Sequence, residues 1–341
     1  MDSIQSEEEL DELLSQPSQV DVEAIKRLDG DLLILGAAGK MGPSLARRAR
    51  KAMALSGRGH RVIAVARFTR KDLSEQLRSF DIETITTDLL EPGAVDELPD
   101  VPNVIYMAAK KFGTSGAEHL TWAMNAYLPG LVAERFQDSR IVAFSTGNVY
   151  ALQNPVLGGA TELVLPAPEG EYGQSALARE RLFEYGSHKW GTRVAILRLN
   201  YAIDLRYGVL LDIAQSVYEG RMVDLNMGLV NVIWQGDANS VCLRALEHCQ
   251  SPPEVLNLSG PETLSVRYLA QEFGRRFGVE PLFQGHEAST ALLSNSAKAH
   301  QLFGYPSVTV GQMIDWTADW VSAGGVTHGK PTHFQVRDGR F

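Results

Sequence analysis

Positive charge is scarce in this chain. Its 341 residues hold 32 Lys and Arg against 41 Asp and Glu, a formal net charge of −9. No basic stripe is present, which argues against a nucleic-acid partner. The deficit is concentrated at the start: residues 1–30 carry nine acidic and two basic side chains, −7 of the −9. This segment is expected to be an acidic extension, a solvated or loosely docked helix. Cysteine is also scarce. Cys242 and Cys249 lie seven apart in "SVCLRALEHC", so on a helix their Cα atoms stand about 10 Å apart, beyond disulfide reach. Two reduced core thiols are expected. No second ligand pair at zinc spacing accompanies His248, so no metal site is expected. No apolar run reaches the roughly 18 residues of a membrane span. The acidic start has no apolar h-region, and the expected placement is cytoplasmic.

From residue 31 short apolar runs alternate with amphipathic stretches. Strands are expected at 31–36, 61–67, 82–88, 103–109, 140–146 and 193–199. Helices are expected at 43–56, 117–136 with a kink near Pro129, and 172–185. Such alternation predicts an α/β fold, a doubly wound parallel sheet of Rossmann type. After Asn200 the rhythm loosens. Residues 31–200, with 237–262 returning, read as a dinucleotide-binding domain. Residues 201–236 and 263–341 read as a smaller substrate lobe and tail.

The first strand runs into "GAAGKMG". Gly36 permits the tight turn, Gly39 lets backbone approach a pyrophosphate, and Gly42 lets the following helix pack on the strand. Lys40 and Met41 lie between them, at the start of a helix whose amides and dipole favour phosphate. At a first strand-to-helix turn this spacing is a specific dinucleotide signal. After the second strand stands Arg67, where an acidic residue would bind the ribose diol of NAD. An arginine there suits a 2′-phosphate and favours NADP over NAD. Asp88, followed by Leu89, ends the third strand, placed to meet the adenine amine.

These residues resemble the extended short-chain dehydrogenase/reductases, specifically the NAD-dependent epimerase/dehydratase family, from about Asp31 to Ser322. Ala108 and Ala109 in "MAA" match its turn after the fourth strand, and Asn125 its helix Asn. Thr146 in "FSTGNVY" matches its catalytic hydroxyl, and "LRLN" (197–200) its Arg-x-x-Asn, offset by one. The resemblance implies a nicotinamide-dependent oxidoreductase, epimerase or dehydratase acting on a carbohydrate-like alcohol or ketone. It also implies a homodimer built on helices 117–136 and 172–185, with Leu120, Leu128, Leu177 and Phe183 as interface candidates. Tyr172 falls on the family's acid/base tyrosine, which also lies against the nicotinamide. The substrate candidates are Lys110, Asn148, Asn200 and Arg206, with Arg221 a further cation for a nucleotide diphosphate.

One departure is sharp. The family places a Lys four residues after the Tyr, and "EYGQSALARE" has Ala176 there. A free Tyr titrates near 10, so lowering it to neutrality needs roughly 4 kcal/mol that Ala176 does not supply. Three readings are open. A cation from the "AAKKFG" loop substitutes, with Lys111 preferred over Lys110 and over Arg179, which lies about 10 Å along the helix by rise. Alternatively Tyr172 works as a neutral acid, or the chain is a dinucleotide-binding scaffold without hydride chemistry.

Overall fold

The computed structural model describes residues 3–111, 113 and 116–339. Six strands come first: β1 (Leu32–Leu35), β2 (Val62–Ala66), β3 (Glu83–Thr86), β4 (Asn103–Tyr106), β5 (Arg140–Thr146) and β6 (Arg193–Leu199). With Glu254–Leu258 they form one seven-stranded parallel sheet, ordered Glu254–Leu258, β6, β5, β4, β1, β2, β3. The expected doubly wound sheet is what forms. The order reverses between β1 and β4, so a crevice opens beyond their carboxyl ends, the usual ligand site of such sheets. β1, β2 and β4 are buried along their whole length, because helices cover both faces.

The acidic start is not loosely docked. Helices α1 (Glu7–Ser15) and α2 (Gln19–Arg27) are tied into the interior. Ile4, Leu10 and Leu14 are buried in the core that also holds Trp234 and Trp316. Asp21 is wholly buried, with Arg48 Nη2 2.6 Å away and the Ser240 hydroxyl donating at 2.5 Å. Those contacts, with backbone hydrogen bonding, outweigh desolvation and hold the Asp21 carboxyl below its ordinary range.

Helix α3 (Gly42–Ser56) follows the glycine turn, with Pro43 in its first turn. Helix α4 (Lys71–Ser79) joins β2 to β3. The expected helix 117–136 is α5 (Glu118–Trp122), a π turn Ala123–Tyr127 and α6 (Leu128–Arg135). The irregularity lies before Pro129, not at it. Proline has no N–H for the carbonyl four residues back, that of Asn125, and its ring crowds it; a wider turn there relieves both. Helix α7 (Gly170–Trp190) carries Tyr172 and ends five residues later than expected, at Gly191 with φ 75°.

The remaining helices are α8 (Val209–Tyr218), α9 (Gln235–Ala245), α10 (Val266–Phe277), α11 (Ala297–Phe303) and α12 (Val310–Ser322). α9 packs into the core of the sheet, while α8, α10 and α12 build a second core. Cys242 and Cys249 are buried free thiols, their pKa values pushed up by burial. No described helix is long and apolar enough to cross a membrane.

Candidate active site

The glycine turn sits against the end of β4. A Cβ on Gly36 (φ 88°) would stand 2.6 Å from the Ala108 nitrogen, and one on Gly42 2.2 Å from the Ala37 carbonyl oxygen. Both positions need glycine for backbone packing. Gly39 is different: a Cβ there would meet only the Gly36 oxygen, at 3.3 Å, and the residue is exposed. The protein's own packing leaves that face open, as a phosphate cradle requires, next to the N-terminus of the 15-residue α3. The residues therefore fit a dinucleotide. Arg67 is exposed, its Nη1 3.7 Å from Asp88 Oδ2, and Asp88 Oδ1 accepts from the Leu90 amide at 3.1 Å. Leu89 is buried.

Lys40 turns inward. Its Nζ lies 2.8 Å from the centre of the Tyr207 ring. Burial first, then repulsion from Lys111 and Lys330, brings its pKa down to about 7, against the opposing pull of Asp212 and Asp204. An anion bound at the turn beside Nζ would raise it again. The sign is then determined: below pH 7 Lys40 is already charged, and above it binding must take up a proton. Dinucleotide affinity should weaken as pH rises through 7, by up to about tenfold per unit. Calorimetric titration of Lys40→Met should show a flatter profile, retaining a slope near pH 8 from Lys111. An unchanged slope would remove Lys40 from the phosphate site.

Tyr172, in the first turn of α7, is 8% exposed, and Thr146 at the end of β5 is 7% exposed. The first turn of α7 abuts the segment after β5, since a Cβ on Gly173 would stand 2.7 Å from the Asn148 carbonyl oxygen. The Thr146 hydroxyl donates to Asn148 Oδ1 at 3.1 Å. Lys111 Nζ stands 5.8 Å from the centre of the Tyr172 ring. Burial lowers the Lys111 pKa to about 8, with Asp212 opposing. The structure thus brings together Tyr172, Thr146, Asn148 and Lys111, with Lys40, Tyr207 and Asp212 close by. Asp212 carries no signal in the linear pattern. Burial raises its carboxyl pKa, although the Thr332 amide and hydroxyl donate to Oδ2 at 2.7 and 2.6 Å.

Four expected ligand residues make their contacts within the protein. Asn125 is wholly buried and its amide is saturated by protein. Oδ1 accepts from the Lys110 amide and Arg179 Nη2, and Nδ2 donates to the Lys110 carbonyl and the Ser175 hydroxyl. With two donors and two acceptor sites used, none remains for a cofactor. Asn200 is 2% exposed and donates to Asn231 Oδ1 and the Leu292 carbonyl, tying the end of β6 to the second core. Arg206 Nη2 lies 2.8 Å from Asp204 and 2.9 Å from Asp11, so its charge is consumed within the protein. Arg221 is likewise paired, with Glu219. Lys110 meets Asn125 through its backbone.

A small pocket beyond Asn148 is lined by Asn148, Tyr150, Glu169, Tyr201, Leu292 and, from the tail, Arg337, among others. Arg337 Nη1 donates to the Thr290 carbonyl at 2.7 Å and Nη2 to the Thr290 hydroxyl at 2.6 Å. Nothing in the linear pattern marks a residue beyond Ser322 as part of this site. Below the pocket, Arg198 and Glu180 form a buried pair at 2.6 Å, and Arg198 also donates to the Tyr150 hydroxyl at 2.6 Å.

The fold has known counterparts. No curated protein matches the chain. Among solved structures, UDP-glucose 4-epimerase of Thermotoga maritima superposes with a TM-score of 0.71 at 17% identity, over 86% of this chain and 99% of that one. UDP-glucuronic acid 4-epimerase of Bacillus cereus, solved with UDP-glucuronic acid and NAD, gives 0.70 at 19%, over 86% and 99%. The dTDP-glucose 4,6-dehydratase DesIV of Streptomyces venezuelae, solved with NAD, gives 0.72 at 17%, over 86% and 97%. At these identities the likeness shows the fold. Residues 32–258, two thirds of the chain, match a family model directly, and the chain belongs to the NAD-dependent epimerase/dehydratase family.

Proposed function

We propose that this protein is a nicotinamide-dependent enzyme that epimerises, dehydrates or reduces a carbohydrate-like alcohol or ketone. The observation that carries this reading is Lys111 facing Tyr172 at 5.8 Å in the site whose usual lysine is Ala176. Gly39, Lys40, Arg67 and Asp88 would hold the dinucleotide, which supplies a hydride acceptor or donor when bound. Tyr172 exchanges a proton with the substrate oxygen, and the Thr146 hydroxyl orients that oxygen. Lys111, whose Nζ lies 5.8 Å from the centre of the Tyr172 ring, supplies the cation beside this exchange. Nucleotide sugars are the favoured substrates, because two of the three structural neighbours described above were solved with them and Arg337 lines the pocket. The test is to identify the nucleotide released on denaturation and to assay UDP- and dTDP-sugars and free sugar acids. Retained NAD with interconversion of two sugars supports an epimerase; exchangeable NADP supports a reductase. Absence of nucleotide and of binding would leave neither.

The cofactor preference rests on Arg67. If it holds a 2′-phosphate, Arg67→Ala should weaken NADP binding by roughly 2 kcal/mol, the scale of a charge-assisted hydrogen bond, and leave NAD unchanged. Equal losses would make Arg67 a stacking platform, in line with the NAD in the structural neighbours.

The homodimer reading needs revised residues. Leu128 and Phe183 are fully buried in their own protomer, whereas Leu120, Trp122, Tyr127 and Tyr185 are exposed on the same helices. We place the two-fold interface on those four. Light scattering should give about twice the 37.4 kDa chain mass, and a monomer mass at micromolar concentration would reject it. The buried free thiols suit the cytoplasm.

A further inference from the structure

Arg179 is 3% exposed, yet it forms no salt bridge among the described residues. Its Nη1 donates to the Phe144 carbonyl at 2.8 Å and its Nη2 to Asn125 Oδ1 at 2.9 Å, while Nε is buried without a hydrogen-bond partner. Arg198, also buried, has Glu180. A buried guanidinium with no counter-charge and an unmet N–H is costly, and an apolar side chain of similar length would be the more stable choice. Stability therefore does not explain Arg179.

Its contacts suggest what does. Ala176, one turn earlier on α7, is small and fully buried. Helical side chains lean toward the helix N-terminus, so Arg179 reaches back over that turn. Arginine can only donate, so its bond to Asn125 Oδ1 reinforces the amide orientation that the Lys110 N–H and carbonyl also require. That orientation lets Oδ1 accept the Lys110 N–H at 2.9 Å while Nδ2 donates to the Lys110 carbonyl at 2.9 Å. The same Nδ2 donates to the Ser175 hydroxyl, which donates to the Tyr172 carbonyl at 3.0 Å. One amide thus joins the helix of Tyr172 to the loop of Lys111, and Arg179 anchors it from α7.

We infer that Arg179 is a positioning residue that acts through Asn125 to hold the Lys110 backbone, and with it Lys111, opposite Tyr172. This rests on the reading of Lys111 as the catalytic cation. The work of the absent lysine is then divided: a buried guanidinium fixes the loop, and a lysine on that loop faces the phenol.

The test follows Lys111 directly. In the full chain with lysines reductively methylated with carbon-13, the Lys111 signal is assigned by its loss in Lys111→Arg and titrated. Asp212, Lys40 and Tyr172 are the groups facing it. Arg179→Met and Asn125→Ala should each move the Lys111 midpoint up by about one unit as the loop opens to water. The double variant should move it no further, and Arg179→Lys, also an obligate donor, should restore most of the wild-type value. Arg179→Met should unfold no earlier on heating than wild type, which separates repositioning from unfolding. If it does not fold, Asn125→Ala and Arg179→Lys decide the matter. An unchanged Lys111 midpoint in Arg179→Met and Asn125→Ala would overturn the inference. Full turnover in Lys111→Ala would instead overturn the catalytic reading on which it rests, whatever the loop does.

Discussion

Tyr172→Phe should lower turnover by about 10²–10⁴-fold, the usual share of a positioned proton donor or acceptor. Dinucleotide affinity should hardly change. Phenylalanine keeps the ring beside Lys111 and the packing of the first turn of α7, and removes only the hydroxyl. Tyr172 is 8% exposed, so the loss is of chemistry at a shielded site rather than of surface. The comparison to make is single-turnover hydride transfer beside equilibrium binding of the dinucleotide. If both fall together, the hydroxyl is part of the dinucleotide site. If neither falls by more than about threefold, proton exchange lies elsewhere, and the Tyr207 phenol under Lys40 becomes the first candidate.

The largest expected effect on stability is at Glu180. Its carboxylate is 3% exposed in the pair with Arg198, and it also accepts the Ser145 hydroxyl at 2.5 Å. Glu180→Ala leaves Arg198 buried with the Tyr150 hydroxyl but no counter-charge, and should cost about 3–5 kcal/mol. In urea the midpoint should fall with the slope unchanged. Adding Arg198→Met should recover most of the loss, because an apolar pair of similar volume often replaces a buried ion pair at little cost. A loss below about 1 kcal/mol would mean that water reaches Arg198 once Glu180 is gone. The pair lies between Ser145, next to Thr146, and Tyr150 on the pocket wall. Surviving double variants would therefore show whether it also shapes the site.

The sheet is legible in the sequence because parallel strands covered on both faces read as unbroken apolar runs, as in Leu32–Leu35 and Val62–Ala66. The glycine turn is legible because Gly36 and Gly42 answer to local backbone contacts. Docking of α1 is hidden by its net charge, although two local signals are present. Ser6 and Glu9 form a Ser-x-x-Glu start, with the Ser6 hydroxyl accepting from the Glu9 amide. Leu10 and Leu14 share one helical face. Arg206 looks available in the sequence because only Asp204 is a local partner, while Glu7 and Asp11, which complete its pairing, lie far earlier in the chain. Arg179 stands apart from Tyr172 by helical rise, and nothing in the linear pattern shows that its side chain, leaning back along the helix, reaches Asn125. Arg337 has no sequence signal at all: only the path of the tail brings it to the pocket.

Arg206 gathers two distant stretches of chain at one residue. Its guanidinium is held by Asp11 in α1, and its backbone carbonyl accepts the His328 amide, in the segment after α12, at 3.0 Å. The next residue, Tyr207, carries the ring beneath Lys40. Such an arrangement imposes an order of events on the growing polypeptide. α1 is synthesised before its charged partner Arg206, and before Trp234 and Trp316 in the core that covers Leu10 and Leu14. Contacts across so much intervening chain form late, because a long loop must close before they bring any gain. The packing of α1 on α3, by contrast, joins nearby stretches, with Asp11 and Glu12 paired to Arg47 and Lys51. The acidic face of α1 thus meets its nearer partners on α3 before Arg206 and the second core close over it.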